Sequence, residues 1–137
     1  MKSIFSLSWI KSKQPRKQRK FRANAPTHIR RKFMGSNLSK DLRSKYNLRT
    51  VPVVKGDKVK IMKGQFKGQE GSIDKVDVLR TKVYVSCAQV TKKEGSKAYY
   101  PINPSNLMIV ELNLKDSKRI KQSKEQVKGA KDGKKSQ

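Results

Sequence analysis

The sequence predicts a mainly β protein built around one small closed barrel, with strongly basic extensions on both sides of it. Only 34% of its 137 residues are hydrophobic, so the chain can bury one small core and much of it must lie outside that core. Most of the β-branched residues lie in residues 51–114, where apolar and polar residues alternate in short runs. About five short strands in roughly 60 residues are typical of a small closed barrel.

Five short strands are predicted, most of them from apolar residues at alternating positions. In chain order, the five runs are Val59 and Ile61; Ile73, Val76 and Val78; Val83, Val85 and Cys87; residues 98–100; and Met108, Val110 and Leu112. The alternation slips in the second run, which predicts a bulge there. Pro101 has no backbone N–H, so it is expected to end the fourth strand at an edge of the sheet. The single cysteine is expected to be a half-buried strand residue without a disulfide.

Two short helices are predicted before the barrel. Thr27 is the expected N-cap of the first helix, and Gly35 is its expected C′ residue. Ser39 begins the second helix, because a serine hydroxyl can accept a hydrogen bond from the first turn. The apolar face of this second helix is formed by Leu38, Leu42 and Tyr46.

The terminal segments are predicted to be arms rather than parts of the core. Residues 11–22 are basic and polar around a single aromatic residue, so they are expected to stay extended until they meet a partner. Asp116 is expected to cap a last helix that runs through Val127, followed by a tail rich in Lys, Gly and Ser. The predicted organisation is a basic arm, a segment of short helices, the barrel, and a basic helix with a tail, at residues 1–26, 27–50, 51–114 and 115–137.

The charge distribution points to a polyanionic partner. The formal net charge is +25, and the first 40 residues contain 12 basic residues and no acidic one. Such a chain repels itself and favours binding to nucleic acid. The acidic residues show no catalytic or ligand spacing, and His28 has no acid or cysteine near it, so no enzyme, metal, cofactor or small-molecule substrate is predicted. No run approaches the roughly 20 apolar residues of a membrane span.

One loop has a spacing specific enough to suggest how the barrel binds. The string KGDKVKIMKGQFKGQEGSI spans the first two predicted strands, and Gly64, Gly68 and Gly71 punctuate the loop between them. Glycines allow positive φ angles and close approach of backbone N–H groups to phosphate. Lys63 and Lys67 stand in the same loop, either as solvated charges or as RNA contacts, and the net charge favours RNA.

This string resembles a KOW motif, the strand–loop–strand unit of ribosomal and transcription proteins, with Gly68 at the motif's defining glycine. Three flanking segments carry a closer resemblance: APTHIRRKFM (25–34), LSKDLRSKYNLRTVPV (38–53) and NPSNLMIVELNL (103–114). They are similar to the eukaryotic and archaeal branch of universal large-subunit ribosomal protein twenty-four, called large-subunit protein twenty-six in eukaryotes.

The resemblance implies an SH3-like barrel with basic extensions and a structural role in the large ribosomal subunit. Members of this family bind large-subunit rRNA near the polypeptide tunnel exit, beside other ribosomal proteins, and take part early in assembly. The implied location is the cytoplasmic ribosome, with assembly in the nucleolus if the chain is eukaryotic. The resemblance covers residues 13–121, and residues 1–10 have no counterpart in it.

The expected RNA contacts combine the basic arm, the short helices and the KOW loop. They are Arg16, Lys17, Arg19, Lys20, Arg22, Arg30, Arg31, Lys32, Arg43, Lys45, Arg49, Lys63, Gly64, Lys67, Gly68 and Gly71. Phe21 and Tyr46 are alternatives for stacking on an unpaired base, although packing against protein is the expected role of both. Trp9 is expected to dock against the protein or to be disordered rather than to stack on a base.

Two other functions stay open at this point. A KOW-bearing transcription elongation factor is disfavoured. Such factors usually carry an α/β domain of about 100 residues before the KOW unit, and no such domain is expected before the KOW string here. A mitochondrial ribosomal protein is the other, because the acid-free first 32 residues have the composition of a transit peptide.

Overall fold

The computed structural model describes residues 5–6, 9, 11–116 and 119–120, and over these residues the protein is mainly β. Its strands form one curled, mixed sheet in keeping with the predicted SH3-like barrel. The elements are, in chain order, α1 (Pro15–Asn24), α2 (Thr27–Lys32), β1 (Gly35–Leu38), α3 (Lys40–Tyr46), β2 (Thr50–Pro52), β3 (Lys58–Ile61), β4 (Glu70–Asp77), β5 (Lys82–Thr91), β6 (Lys97–Ile102), a 3₁₀ turn (Pro104–Asn106) and β7 (Leu107–Glu111).

The sheet order is β2-β1-β7-β3-β4-β5-β6. The β1–β7 pair is parallel and the other pairs are antiparallel. The predicted bulge is confirmed, since the register of β4 against β5 shifts between Ile73 and Lys75. β6 lies at an edge, as predicted, but Pro101 does not end it. Pro101 pairs with Tyr84, because an edge strand needs hydrogen bonds on one side only.

The strands share one hydrophobic core. Its largest fully buried residues include Met34, Leu38, Ile61, Ile73, Leu107 and Ile109. The last predicted run, Met108, Val110 and Leu112, does not coincide with the buried face of β7, which is formed by Leu107 and Ile109. Every residue from 107 to 110 is apolar, so alternation alone cannot choose the face; pairing of Val59 with Ile109 and of Ile61 with Leu107 decides it.

From Pro15 to Asn24 the chain forms the helix α1 instead of an extended segment, which corrects most of the prediction for residues 11–22. Pro15 occupies the first position of α1, where its missing N–H costs nothing, and the Arg, Lys and Gln residues behind it are good helix formers. Phe21 then gives the helix a tertiary contact, with its ring centroid 4.8 Å from that of Trp9 and 6.2 Å from that of Phe33. This packing stabilises α1, because a helix of this length is only marginally stable on its own in water.

The short-helix segment also contains a strand that the sequence did not predict. Gly35 begins β1 instead of ending α2, and Leu38 lies in β1 instead of on the helix face. Thr27 is the first residue of α2 and not its N-cap, a position held by Pro26. The start of α3 is confirmed, since the Ser39 hydroxyl accepts a hydrogen bond from the backbone N–H of the helix's third residue at 3.4 Å.

β1 and β2 extend the sheet to the N-terminal side of residue 51, so part of the segment 27–50 packs into the barrel. The predicted helix from Asp116 through Val127 lies mostly outside the described residues; residues 119 and 120 are helical.

A buried ion pair fixes the segment that follows β7. Arg119 Nη1 donates to Asp57 Oδ1 at 2.7 Å, and Nη2 donates to Oδ2 at 2.6 Å. The carboxylate also accepts backbone N–H groups of Val54 and Asn113, each at 2.9 Å. Arg119 Nη2 reaches the carbonyl oxygen of Pro52 as well, at 2.8 Å. The pair therefore connects β2, the turn before β3 and the C-terminal segment.

Candidate nucleic-acid interface

The predicted basic residues of the arm lie on a helix that the rest of the protein hardly covers. No residue of α1 is buried. Its five basic side chains are all exposed: Arg16, Lys17, Arg19, Lys20 and Arg22. Arg31 and Lys32 are exposed in the last turn of α2, where positive charge also interacts favourably with the helix dipole. α1 and α2 thus present most of their basic side chains to solvent.

Arg30 differs from these residues because its guanidinium is used inside the protein. Nε donates to the carbonyl oxygen of Ala25 at 2.7 Å, and Nη1 donates to that of Leu79 at 2.7 Å. Nη2 donates to the carbonyl oxygen of Ala23. Arg30 thereby attaches the junction of α1 and α2 to the turn between β4 and β5.

The basic residues of α3 are only partly available. Arg43 Nε donates to the carbonyl oxygen of Leu38 at 2.8 Å, which attaches the helix to β1. The Lys45 ammonium lies 5.5 Å from the ring centroid of Tyr46, and that ring packs against the core, as predicted. Arg49 is exposed just before β2.

The KOW loop lies between β3 and β4 and is closed by its own backbone. The Lys67 backbone N–H donates to the carbonyl oxygen of Gly64 at 3.1 Å, and the Gly68 N–H donates to that of Ile61 at 2.8 Å. Gly64 and Gly68 have φ angles of 95° and 89°, which β-carbon-bearing residues rarely adopt. The backbone N–H groups of Lys67 and Gly68 already donate hydrogen bonds inside the protein. The ammonium groups of Lys63 and Lys67 are therefore the main phosphate-binding groups of the loop.

Gly71 is not a loop residue, which corrects the prediction for it. It lies in β4 opposite Val59. A Cβ there would lie 2.8 Å from Ser86 Oγ and 3.0 Å from Cys87 Sγ, so the close approach of β5 is what requires glycine.

Acidic residues neutralise the lysines of β3 but not those of the loop. Lys58 Nζ lies 3.1 Å from Glu111 Oε1, and Lys60 Nζ lies 3.0 Å from Glu70 Oε1. No acidic group within the described part of the chain forms an ion pair with Lys63 or Lys67, and both are exposed. The loop lysines consequently keep their full charge for a partner.

A cleft of about 530 Å³ opens beside α2 and is lined by both charged and apolar side chains. The charged part of the lining includes Arg31, Lys32 and Asp116. The apolar part includes Val51, Val53, Val76 and Val78. Two predicted site residues, Arg31 and Lys32, are brought together here. His28 is exposed, and no group of three or more metal-ligating side chains occurs among the described residues.

Comparison with known proteins identifies the family. The family model described as the eukaryotic ribosomal proteins L26 and their archaeal L24 counterparts matches residues 12–125. The chain belongs to this family. It is 51% identical over 110 residues to the large ribosomal subunit protein uL24 of Methanoculleus marisnigri, covering 80% of this chain and 91% of that protein. It is 52% identical over 111 residues to the protein of the same name from Methanocorpusculum labreanum, covering 81% and 92%.

The family match includes every predicted contact residue, from Arg16 to Gly71, and leaves residues 1–11 outside it. The family is one of structural ribosomal proteins and not of enzymes, as the sequence predicts. No helix among the described residues is long and apolar enough to cross a membrane.

Sequence reasoning missed the Asp57–Arg119 pair and the internal use of Arg30. The only signal for the first was an acidic residue in the turn before β3, and a sequence separation of 62 residues hides its partner.

Proposed function

We propose that this chain is a structural constituent of the large ribosomal subunit that binds and stabilises large-subunit rRNA. Family membership and the name shared by its relatives support a place in the large ribosomal subunit. The observation that carries RNA binding is the set of exposed cations on α1, α2 and the KOW loop that form no ion pair with an acidic group in the described part of the chain.

The mechanism is neutralisation of phosphate with release of counterions, which supplies affinity without reading sequence. Its acidic residues do little to oppose this, because several of them are occupied internally. Glu70 and Glu111 pair with lysines of β3, Asp57 pairs with Arg119, and Asp77 Oδ1 accepts the backbone N–H of Arg80 at 3.0 Å.

The expected contacts remain those assigned from the sequence, but their weights differ. Exposed residues of α1, together with Arg31, Lys32, Arg49, Lys63 and Lys67, are expected to contribute most. Arg30 and Arg43 already bond to backbone carbonyls and are expected to contribute less. Gly64 and Gly68 shape the loop, and Gly71 lets β5 approach β4.

The finer placement also belongs to this proposal. The protein acts in the cytoplasm on the ribosome, near the tunnel exit and beside other ribosomal proteins, and joins early in assembly, in the nucleolus if the chain is eukaryotic. The segments 1–26, 27–50, 51–114 and 115–137 act as arm, helical connection, barrel and tail, with β1 and β2 joining the connection to the barrel.

Sucrose-gradient sedimentation of tagged full-length protein in high-salt lysate tests the assembly. Co-migration with the large subunit is expected. Absence from ribosomes together with co-purification of RNA polymerase would contradict the proposal and favour a KOW transcription factor.

The salt dependence of binding to large-subunit rRNA fragments tests the contacts. Arg16→Gln/Arg19→Gln is expected to lower the slope of log affinity against log salt concentration by about 1.4–1.8, since each lost phosphate contact removes about 0.7–0.9. Glutamine keeps the helix propensity of α1. Lys58→Gln is the matched control, because this lysine is already paired with Glu111. Equal slopes for the wild type and the double variant would exclude Arg16 and Arg19 from the interface.

A further inference from the structure

The N-terminal residues outside the family match build a second cleft against α1. Its volume is about 320 Å³. α1 contributes one stripe of side chains at positions i, i+3, i+4 and i+7, and the preceding residues contribute the opposite wall. The stripe consists of Lys17, Lys20, Phe21 and Asn24, and the wall consists of Phe5, Ser6 and Trp9.

Three aromatic rings line this cleft. The ring of Trp9 is nearly parallel to that of Phe21, with an interplanar angle of 28° and a centroid separation of 4.8 Å. The ring of Phe5 lies 4.8 Å from Phe21 at 36°. All three side chains are only half-buried, so ring surface remains accessible beside the space they enclose.

The polar part of the lining has one sign of charge. Lys17 and Lys20 are both exposed at the cleft, and none of the described residues that line it is acidic. Flat aromatic walls next to ammonium groups suit a planar, neutral ring attached to an anion. An apolar peptide would gain nothing from the lysines, and an acidic peptide would leave the aromatic faces without a planar partner.

We propose that this cleft binds an unpaired nucleobase of RNA, with Lys17 and Lys20 on the adjoining phosphates. The base stacks on the aromatic side chains, and the phosphates lie on the exposed face of α1. Pockets for small ligands are typically about 300–1,000 Å³, so the cleft has room for one base and not for a duplex. This inference rests on the proposed RNA binding and adds a subsite to which Phe5, Ser6 and Trp9, outside the family match, contribute one wall.

Trp9 is the only tryptophan in the chain, so its fluorescence reports on this cleft alone. The full-length protein is titrated with a short oligouridylate and with an abasic ribose-phosphate oligomer of equal length. Quenching by the oligouridylate, with much less quenching by the abasic oligomer, is expected. Equal quenching and equal affinity for the two, with the same salt slope, would overturn the subsite while leaving phosphate binding intact. Failure of both oligomers to bind would instead contradict the proposed function.

Variants separate stacking from charge. Trp9→Ala is expected to weaken oligouridylate binding by about 5- to 150-fold without changing the salt slope, because stacking on an aromatic is worth about that much and releases no counterion. Trp9→Phe should retain most of the affinity. Lys17→Gln/Lys20→Gln should lower the slope by about 1.4 and keep the quenching by the base at low salt.

The control for an unspecific aromatic effect is Tyr99→Ala, which removes a half-exposed ring on β6 outside this cleft. Its affinity for oligouridylate should equal that of the wild type, and a loss equal to that of Trp9→Ala would overturn the proposal. Far-ultraviolet circular dichroism checks that α1 persists in Trp9→Ala. If Trp9→Ala loses helix, the affinities of Trp9→Phe and of the wild type for the two oligomers are compared instead. If neither protein prefers the base-bearing oligomer to the abasic one, the subsite is overturned.

Discussion

Replacing Arg119 with alanine leaves the Asp57 carboxylate without its cationic partner inside the protein. The exposed fraction is 6% for the Arg119 side chain and 0% for that of Asp57. Alanine removes both charge-assisted hydrogen bonds to the carboxylate and those to the carbonyls of Asn113 and Pro52. Water cannot readily replace these donors at a site so thoroughly enclosed.

The expected loss in the free energy of unfolding is about 3 kcal/mol. Removing one partner of a buried ion pair costs about 3–5 kcal/mol, because the other charge stays uncompensated. Two backbone N–H groups, from Val54 and Asn113, still donate to Asp57, which places the expectation at the low end. Arg119→Lys keeps the charge but loses the bidentate geometry, so a loss of about 1–2 kcal/mol is expected.

Urea unfolding of the full-length protein measures these differences. With an m-value of about 1.5 kcal/mol/M, a loss of about 3 kcal/mol lowers the midpoint by about 2 M. Lys58→Ala is the control, since the pair of Lys58 with Glu111 is 49% and 66% exposed and is expected to contribute about 0–1 kcal/mol. A loss for Arg119→Ala no larger than that of Lys58→Ala would refute the reasoning.

Three further predictions concern backbone geometry and the thiol. Gly68→Asn should cost less than about 1 kcal/mol in urea unfolding, because asparagine tolerates positive φ and no atom lies within 4 Å of an added Cβ. Gly71→Ala should cost about 1–3 kcal/mol, since its Cβ would meet Ser86 Oγ at 2.8 Å, and the opposite ranking of these two variants would contradict the assignment. Asn47 ends α3 with a φ of 53°, so Asn47→Ala should lower the stability by about 1 kcal/mol in thermal unfolding while Asn47→Gly should not. Burial raises the pKa of the Cys87 thiol above 9.0, so iodoacetamide should alkylate the folded chain more slowly than the unfolded chain. Equal alkylation rates for the folded and unfolded chains would contradict this expectation. The raised pKa also lowers the free energy of unfolding as the pH rises above the ordinary pKa of the thiol, because the unfolded chain then loses this proton first.

The candidate interface was predictable where residue type alone decides the outcome. Exposed cations such as Arg16 and Lys63 follow from composition, because charged side chains stay at the surface unless they find a buried partner. Arg30 did find partners, at the carbonyls of Ala23, Ala25 and Leu79, and no local pattern announces a carbonyl 49 residues away.

Local patterns in the chain were enough to predict several features of the fold and the family. Alternation at Val59 and Ile61 predicts a half-buried strand, Ser39 predicts a helix start, and the order of the motifs identifies the family. Three other features became known from the folded protein alone: which face of β7 points inward, that residues 35–38 form a strand, and that α1 is a helix packed on aromatic rings. Those outcomes depend on strand register and on contacts between residues far apart in the chain, which a one-dimensional pattern does not contain.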